Sequence, residues 1–359
     1  MSESFIEVAK PSAPKMTGDP FVSILINNYN YSQFLADAID SALNQTYAYR
    51  EVIVVDDGSS DRSRDIIAKY GSRIIPVLKE NGGQGSAFNE GIKASQGDLV
   101  FFLDSDDYYL PECVEMAVKN WKTGTALMQW RLKIVNNLGN TVDYKPPLHV
   151  ALPSGDVTKS LIGRGYYTMC PTTALAVSRV LLEKVLPIPE KQFRYGGDAY
   201  LLHTLPFYGD VRSLDRILGM YRVHGDNHVG GQEWNPTDVL KIRRRLSEDI
   251  QNMQALRNAA TKVGRKVSEH LLQNNYFHLK DRCLSLRLDR KSHPMPEDQI
   301  HVLMLQGLRA VWRFSDYGVV QKLTRMFGLI CIALGPVWSI ERVLQCWRLI
   351  RMARTPVMR

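Results

Sequence analysis

The chain has 359 residues, 45% of them hydrophobic and 23% charged, with a net charge of +8. This composition excludes a disordered or low-complexity protein, and the length allows one large domain with an appended element, or two domains. Five cysteines stand far apart with no C-x-x-C pair, which speaks against a disulfide framework and fits a reducing compartment.

The first 20 residues are polar, carry Pro11, Pro14 and Pro20 and lack an apolar core. They are expected to form a disordered tail rather than a secretory signal. Residues 21–27 read as a first strand. Ser32 is placed to cap a helix in which Phe34, Leu35, Ala38, Ile39, Ala42 and Leu43 recur at helical spacing. Residues 51–55 form a second apolar run, ending in Asp56, Asp57 and Gly58; Ser59, Ser60 and Asp61 offer caps for a helix to residue 70. A third strand is expected at 73–78, followed by a loop containing Gly82, Gly83 and Gly85 and a helix to 94. A fourth strand spans 99–103. Strands alternating with helices predict a parallel sheet whose right-handed crossovers bring the strand C-termini to one edge.

The fourth strand carries the strongest functional cue. The run Val100-Phe101-Phe102-Leu103 ends in Asp104, Asp106 and Asp107. Acids at the tip of a buried strand lie at the mouth of a crevice, where open α/β sheets bind ligands. Packed that closely, they repel one another, and Mg²⁺ or Mn²⁺ carrying phosphate oxygens suits them best. For Asp107 an acidic cap on the next helix is an equal alternative.

Residues 125–230 are less regular: a strand at 125–135, a hairpin-type turn at 136–140, a proline-containing loop through 153 and a short strand at 173–177. From 236 onward the chain reads as helical, over 237–260, 262–286 and 297–313, with a boundary near 232–236. Residues 326–338 carry no charge but are too short to span a bilayer. After them Val337, Ile340, Leu344, Trp347 and Ile350 share a helical face, suited to a membrane interface, to a core or to a dimer contact. Residues 301–359 hold nine Lys/Arg against Asp316 and Glu341, so the positive charge is concentrated there and calls for an anionic partner such as a lipid surface.

These segments, in this order, resemble the family-2 glycosyltransferases, whose fold is GT-A. The resemblance covers about residues 20–230. It rests on Val22–Asn30, on Ala38–Tyr47, on Glu51–Asp61, on Asn89-Glu90-Gly91, on Leu103–Pro111 with its D-x-D pattern, and on Tyr221-Arg222-Val223-His224. It implies a mostly parallel Rossmann-like sheet flanked by helices over 21–232, with a helical extension over 233–359. It further implies Asp106 and Asp104 as ligands of Mn²⁺ or Mg²⁺, with His224 beside the metal or diphosphate. Asp57 is expected to accept from the base, favouring UDP; Tyr29 would stack on the base and Asn27 hydrogen-bond it. Gly83 is expected near the phosphates, and Asn89 and Asp104 in the donor site. The family's usual Glu-Asp pair is met here by Gly197 and Asp198, leaving Asp198 as the base for the acceptor hydroxyl.

The expected function is therefore inverting, metal-dependent transfer of a sugar from a nucleotide-diphosphate donor to a hydroxyl, in surface polysaccharide or glycoconjugate synthesis. The acceptor is expected to be a saccharide or a lipid-linked saccharide. The protein is expected in the cytoplasm, with peripheral contact to the inner membrane face through 326–359. Two alternatives remain: a sugar-phosphate nucleotidyltransferase, disfavoured because residues 27–31 lack Gly, Lys and Arg, and a non-catalytic scaffold of the same fold, favoured only by Gly197. Nucleic-acid binding is not expected, since the basic charge lies outside the α/β region.

Overall fold

The structure, a computed structural model, describes residues 18–136, 138–224, 237–315 and 317–353. The expected N-terminal tail up to residue 17 and the expected boundary near 232–236 lie outside the described residues. Two compact units are present. The first runs to Val157 and resumes over Thr168–His224; the second takes Thr158–Tyr167 and most of the helical region after 236. The division is thus not one cut in the sequence, because a short helix at Thr158–Arg164 clusters with the second unit.

In the first unit, β1 (Val22–Asn28), β2 (Arg50–Asp57), β3 (Ile75–Lys79) and β4 (Leu99–Asp104) are joined by α1 (Ser32–Leu43), α2 (Ser63–Tyr70) and α3 (Gln84–Ala94). They pair in parallel in the order β3-β2-β1-β4. The apolar runs of β1 and β4 are buried because helices cover both faces, as their unalternating sequence requires. Asp61 serves as a double cap. One carboxylate oxygen accepts from Ser63 N at 2.9 Å and the other from Ser32 N at 2.8 Å, so the start of α1 is held by Asp61 rather than by the Ser32 hydroxyl.

Beyond β4 the sheet becomes mixed. After β5 (Tyr108–Tyr109), α4 (Cys113–Asn120), β6 (Thr125–Asn136), β7 (Thr141–Lys145) and α5 (Thr158–Arg164) come β8 (Leu175–Ser178), α6 (Arg179–Leu182), α7 (Gly197–Thr204) and β9 (Asp210–Val223). The order continues β4-β8-β6-β9-β5, with β8 antiparallel to both its neighbours and β9 parallel to β6. The fully buried Arg131 on β6 ties down the following loop: its guanidinium donates to the carbonyls of Pro146 and Pro147 at 3.0 Å and of Val150 at 2.8 Å, and pairs with Asp215.

The second unit holds α5 and α8 (Val239–Lys262), α9 (Tyr276–Leu288), α10 (Ile300–Phe314), α11 (Val319–Leu334) and α12 (Val337–Ala353). The helix expected over 262–286 begins only at Tyr276, where Asn275 caps it by accepting from Phe277 N and His278 N. Leu279, Leu303, Val311, Leu329 and Ile332 form its core together with Ile340 and Leu344 of α12. Of the expected α12 face, Ile340 and Leu344 pack inward, Val337 is exposed, and the side chains of Trp347 and Ile350 lie outside the described residues. No helix among the described residues is long and apolar enough to cross a membrane.

Candidate active site

The parallel strands deliver four polar residues to one edge: Asn27 and Asn28 from β1, Asp57 from β2 and Asp104 from β4. Asn27 and Asp104 are register partners on adjacent strands, and Asn27 Nδ2 donates to Asp104 Oδ1 at 3.0 Å. The Oδ1 atoms of Asn27 and Asn28 are buried without a hydrogen-bond partner, so two acceptors at the strand tip are left to a ligand or water. Tyr29, the next residue but one, is half-exposed.

The acids gather as the sequence predicts, and their environment is electrostatically costly. Burial first, then the charges of Asp106 and Asp198, push Asp104 up to about 7. Asp107 is pushed well up by burial and by Asp106 and Asp104. It accepts from the Thr173 hydroxyl at 2.6 Å and from Arg222 N at 2.9 Å, which makes it a brace between the turn before β8 and the end of β9. Asp106 lies 3.1 Å from Nε2 of His224, whose buried ring packs against Tyr31 and Phe34. Arg222 pairs with Asp37 at 2.8 Å and covers the Phe34 ring.

Asp198 stands in the first turn of α7 and joins this group. Its Oδ2 accepts from the Thr172 hydroxyl at 3.0 Å. Thr172 in turn is 3.3 Å from Gln84 Nε2, while Gln84 Oε1 accepts from Gly196 N at 3.1 Å and Gly197 N at 2.9 Å. Thr172, Thr173 and Gln84 were not among the residues expected from sequence. The one available cue was a Thr pair after Pro171 at the start of an expected strand.

Three expected donor-site residues have internal roles. Asn89 is buried and fully engaged. Its Nδ2 donates to Ile188 O at 2.9 Å and Glu190 Oε1 at 3.1 Å, and its Oδ1 accepts from Ile188 N at 2.9 Å. It staples α3 to the 188–190 loop. A Cβ on Gly83, at φ +88°, would stand 2.3 Å from Arg194 O, so that glycine is demanded by the protein's own backbone. Asp57 accepts from Lys79 Nζ at 2.7 Å, Gly82 N at 2.9 Å and Gly83 N at 2.7 Å, which occupies about three of its roughly four acceptor positions. Beside it lies an open depression of ≈ 520 Å³ lined by Gly58, Ser59, Arg64, Leu78, Lys79, Glu80 and Asn81.

Gly197, where the resemblance leads one to expect an acid, also has a packing cause. A Cβ there would meet Phe88 Cδ2 at 3.0 Å and Gly85 Cα at 3.2 Å. Among the described residues no three His, Cys, Asp or Glu side chains converge as a ready metal cage. Asp104 and Asp106 nonetheless fit a hard divalent cation: both are oxygen donors, and their crowding is what a cation relieves. Such ions commonly take one or two carboxylates and complete their shell with substrate phosphates and water.

Known proteins agree with this picture. The model of the family described as glycosyl transferase family 2 matches residues 23–186. An uncharacterised glycosyltransferase of Nostoc sp. is 35% identical over 213 residues, 58% of this chain and 66% of that protein. One of Rickettsia typhi is 48% identical over 99 residues, 28% of this chain and 31% of that protein. The chain therefore spans less than two thirds of these relatives' length. Among solved structures, the mannosyltransferase PcManGT of Pyrobaculum calidifontis, in complex with GDP-Man and Mn²⁺, aligns with 91% of this chain and 89% of its own, at 16% identity and a TM-score of 0.50. The fold is of the GT-A type, and the chain belongs to the family-2 glycosyltransferases.

Proposed function

We propose that the chain is an inverting glycosyltransferase that moves a sugar from a nucleotide-diphosphate donor, UDP favoured, to a hydroxyl acceptor. The observation that carries this reading is the meeting of Asp104, Asp106 and Asp198 at one sheet edge, with Asn27 donating to Asp104 and the Thr172 hydroxyl donating to Asp198. Asp198 takes the proton of the acceptor hydroxyl as its oxygen attacks the anomeric carbon. The bond from that carbon to the diphosphate oxygen breaks, and the electron pair leaves with the nucleotide. Attack opposite the leaving group inverts the anomeric configuration. Asp104 and Asp106 would hold Mn²⁺ or Mg²⁺, which supplies positive charge at the departing diphosphate; His224 orients Asp106. One acceptor position remains on Asp57 for a base imide N–H, and the buried Asn27 Oδ1 is a second acceptor on the donor side.

Surface polysaccharide or glycoconjugate synthesis is the proposed setting, with a saccharide or lipid-linked saccharide as acceptor. The scaffold alternative loses its one support, since Gly197 is explained by its closeness to Gly85 and Phe88. Calorimetric titration of UDP, GDP and dTDP, with and without Mn²⁺, tests the proposal on the wild type and on Asp106→Ala. Metal-dependent binding of UDP that Asp106→Ala abolishes is the expected result. Binding of none of the three by folded protein overturns it.

A further inference from the structure

Every exposed side chain on the outer arc of α11 is apolar. Val319, Val320, Leu323, Phe327, Ile330 and Leu334 fall within about 100° of the helix circumference. Phe327 is 69% exposed, and Trp338, at the start of α12, is 70% exposed. The opposite arc, through Gly328, Leu329, Ile332 and Ala333, is buried in the unit's own core. A water-facing helix normally puts polar residues on its outer face, so this arc is built to be covered. At 16 residues α11 is about 24 Å long, too short for a hydrocarbon core of about 30 Å.

The surrounding charge identifies the cover. The exposed ionised side chains described between α10 and residue 346 are Arg309, Arg313 and Arg342 against Glu341 alone. The Arg342 guanidinium stands 5.4 Å from the Trp338 ring, and the Lys322 ammonium 5.7 Å from the ring of the exposed Trp312. An apolar stripe edged by cations held against aromatic rings matches the boundary between acyl chains and anionic headgroups. A second copy fits poorly, because symmetric pairing of this face would bring the same cations together.

We propose that α11 docks by this arc on the surface of a bilayer containing anionic phospholipid. The docking helix is then α11, and α12 is its packed support. The proposal does not rest on the transferase reading, and its test measures no sugar transfer.

The test is flotation of the full chain with vesicles of phosphatidylcholine containing about one third phosphatidylglycerol, against phosphatidylcholine alone. The wild type is expected to float with the anionic vesicles and to lose part of that binding in high salt. Leu323→Glu/Phe327→Glu is expected to lose about tenfold or more in vesicle affinity. Its urea midpoint should stay unchanged, since both side chains are exposed. Independently of any substitution, lipids brominated near the headgroup should quench wild-type tryptophan fluorescence. Failure to float, equal flotation of the double variant, or absence of quenching overturns the proposal. So does a dimer by light scattering that the double variant converts to monomer.

Discussion

Asp104→Asn separates stability from function at the acid cluster. In the folded protein burial, Asp106 and Asp198 hold Asp104 up at about 7, whereas an unfolded chain ionises it near 3.8. Below about pH 4 both states are protonated and the site costs nothing. Between about pH 4 and 7 the unfolded chain releases its proton while the folded one keeps it, so folding stability falls by about 1.4 kcal/mol per pH unit from this group. Above pH 7 the penalty levels off, at no more than about 4 kcal/mol and nearer half that once the site relaxes. Asparagine keeps the Oδ1 that accepts from Asn27 and removes the charge. Urea unfolding of both proteins at pH 5 to 8 in EDTA should therefore show Asp104→Asn gaining roughly 2 kcal/mol at pH 8 and little at pH 5. Adding Mn²⁺ should stabilise the wild type and not the variant. A variant less stable than wild type at pH 8, or a stability difference that does not change with pH, would refute the reasoning.

Other substitutions probe separate parts of the argument. Asn89→Ala orphans both backbone groups of Ile188 and should cost about 2 kcal/mol in urea unfolding while leaving nucleotide affinity unchanged. Gly197→Glu, which restores the family's acid, should destabilise by about 1–2 kcal/mol, because its Cβ would press on Phe88 at 3.0 Å and Gly85 at 3.2 Å and force them to shift. Arg131→Met leaves three carbonyls unpaired and should cost about 3 kcal/mol. Thr172→Val should lower kcat about tenfold in a donor-turnover assay, since it frees the Asp198 carboxylate.

The parallel half of the sheet was legible because its strands are short apolar runs punctuated by glycine and capping residues; β1, β2 and β4 are largely buried, while β3 is the exposed edge. The mixed half was legible only in part. β9, 14 residues long, carries Asp210, Arg212, Asp215 and Arg216 and shows no clean alternation. It is only partly buried and follows β6 with register shifts near Thr125 and Arg131, so tertiary pairing, not local pattern, makes it a strand. Asp104 and Asp106 stood out because crowded carboxylates at the tip of a buried strand repel one another, whereas Asp198 was reached only through the family resemblance, since an acid at a helix start commonly serves as a cap. Thr172, Thr173 and Gln84 were not legible, since a hydroxyl or amide acquires its role only from what the fold brings against it.

The glycines show why a motif underdetermines its cause. Gly82, Gly83 and Gly85 sit beside the acids, as a phosphate cradle would, yet at Gly83 and Gly85 the atoms a side chain would strike are Arg194 O and Phe193 O. The same loop donates Gln84 N to Arg194 O at 2.7 Å and Gly85 N to Phe193 O at 3.1 Å, and Gly85 in turn receives Gly197. Asp57 on the donor side grips Gly82 and Gly83, and Gln84 beside them holds the start of α7, which carries Asp198. Asp57 and Asp198 are therefore joined through residues 82–85, where the surrounding atoms leave the glycines no space for a side chain. Under the proposed function, a loop displaced by donor phosphates would shift the start of α7, so these glycines would couple the donor site to Asp198 even where they touch no ligand.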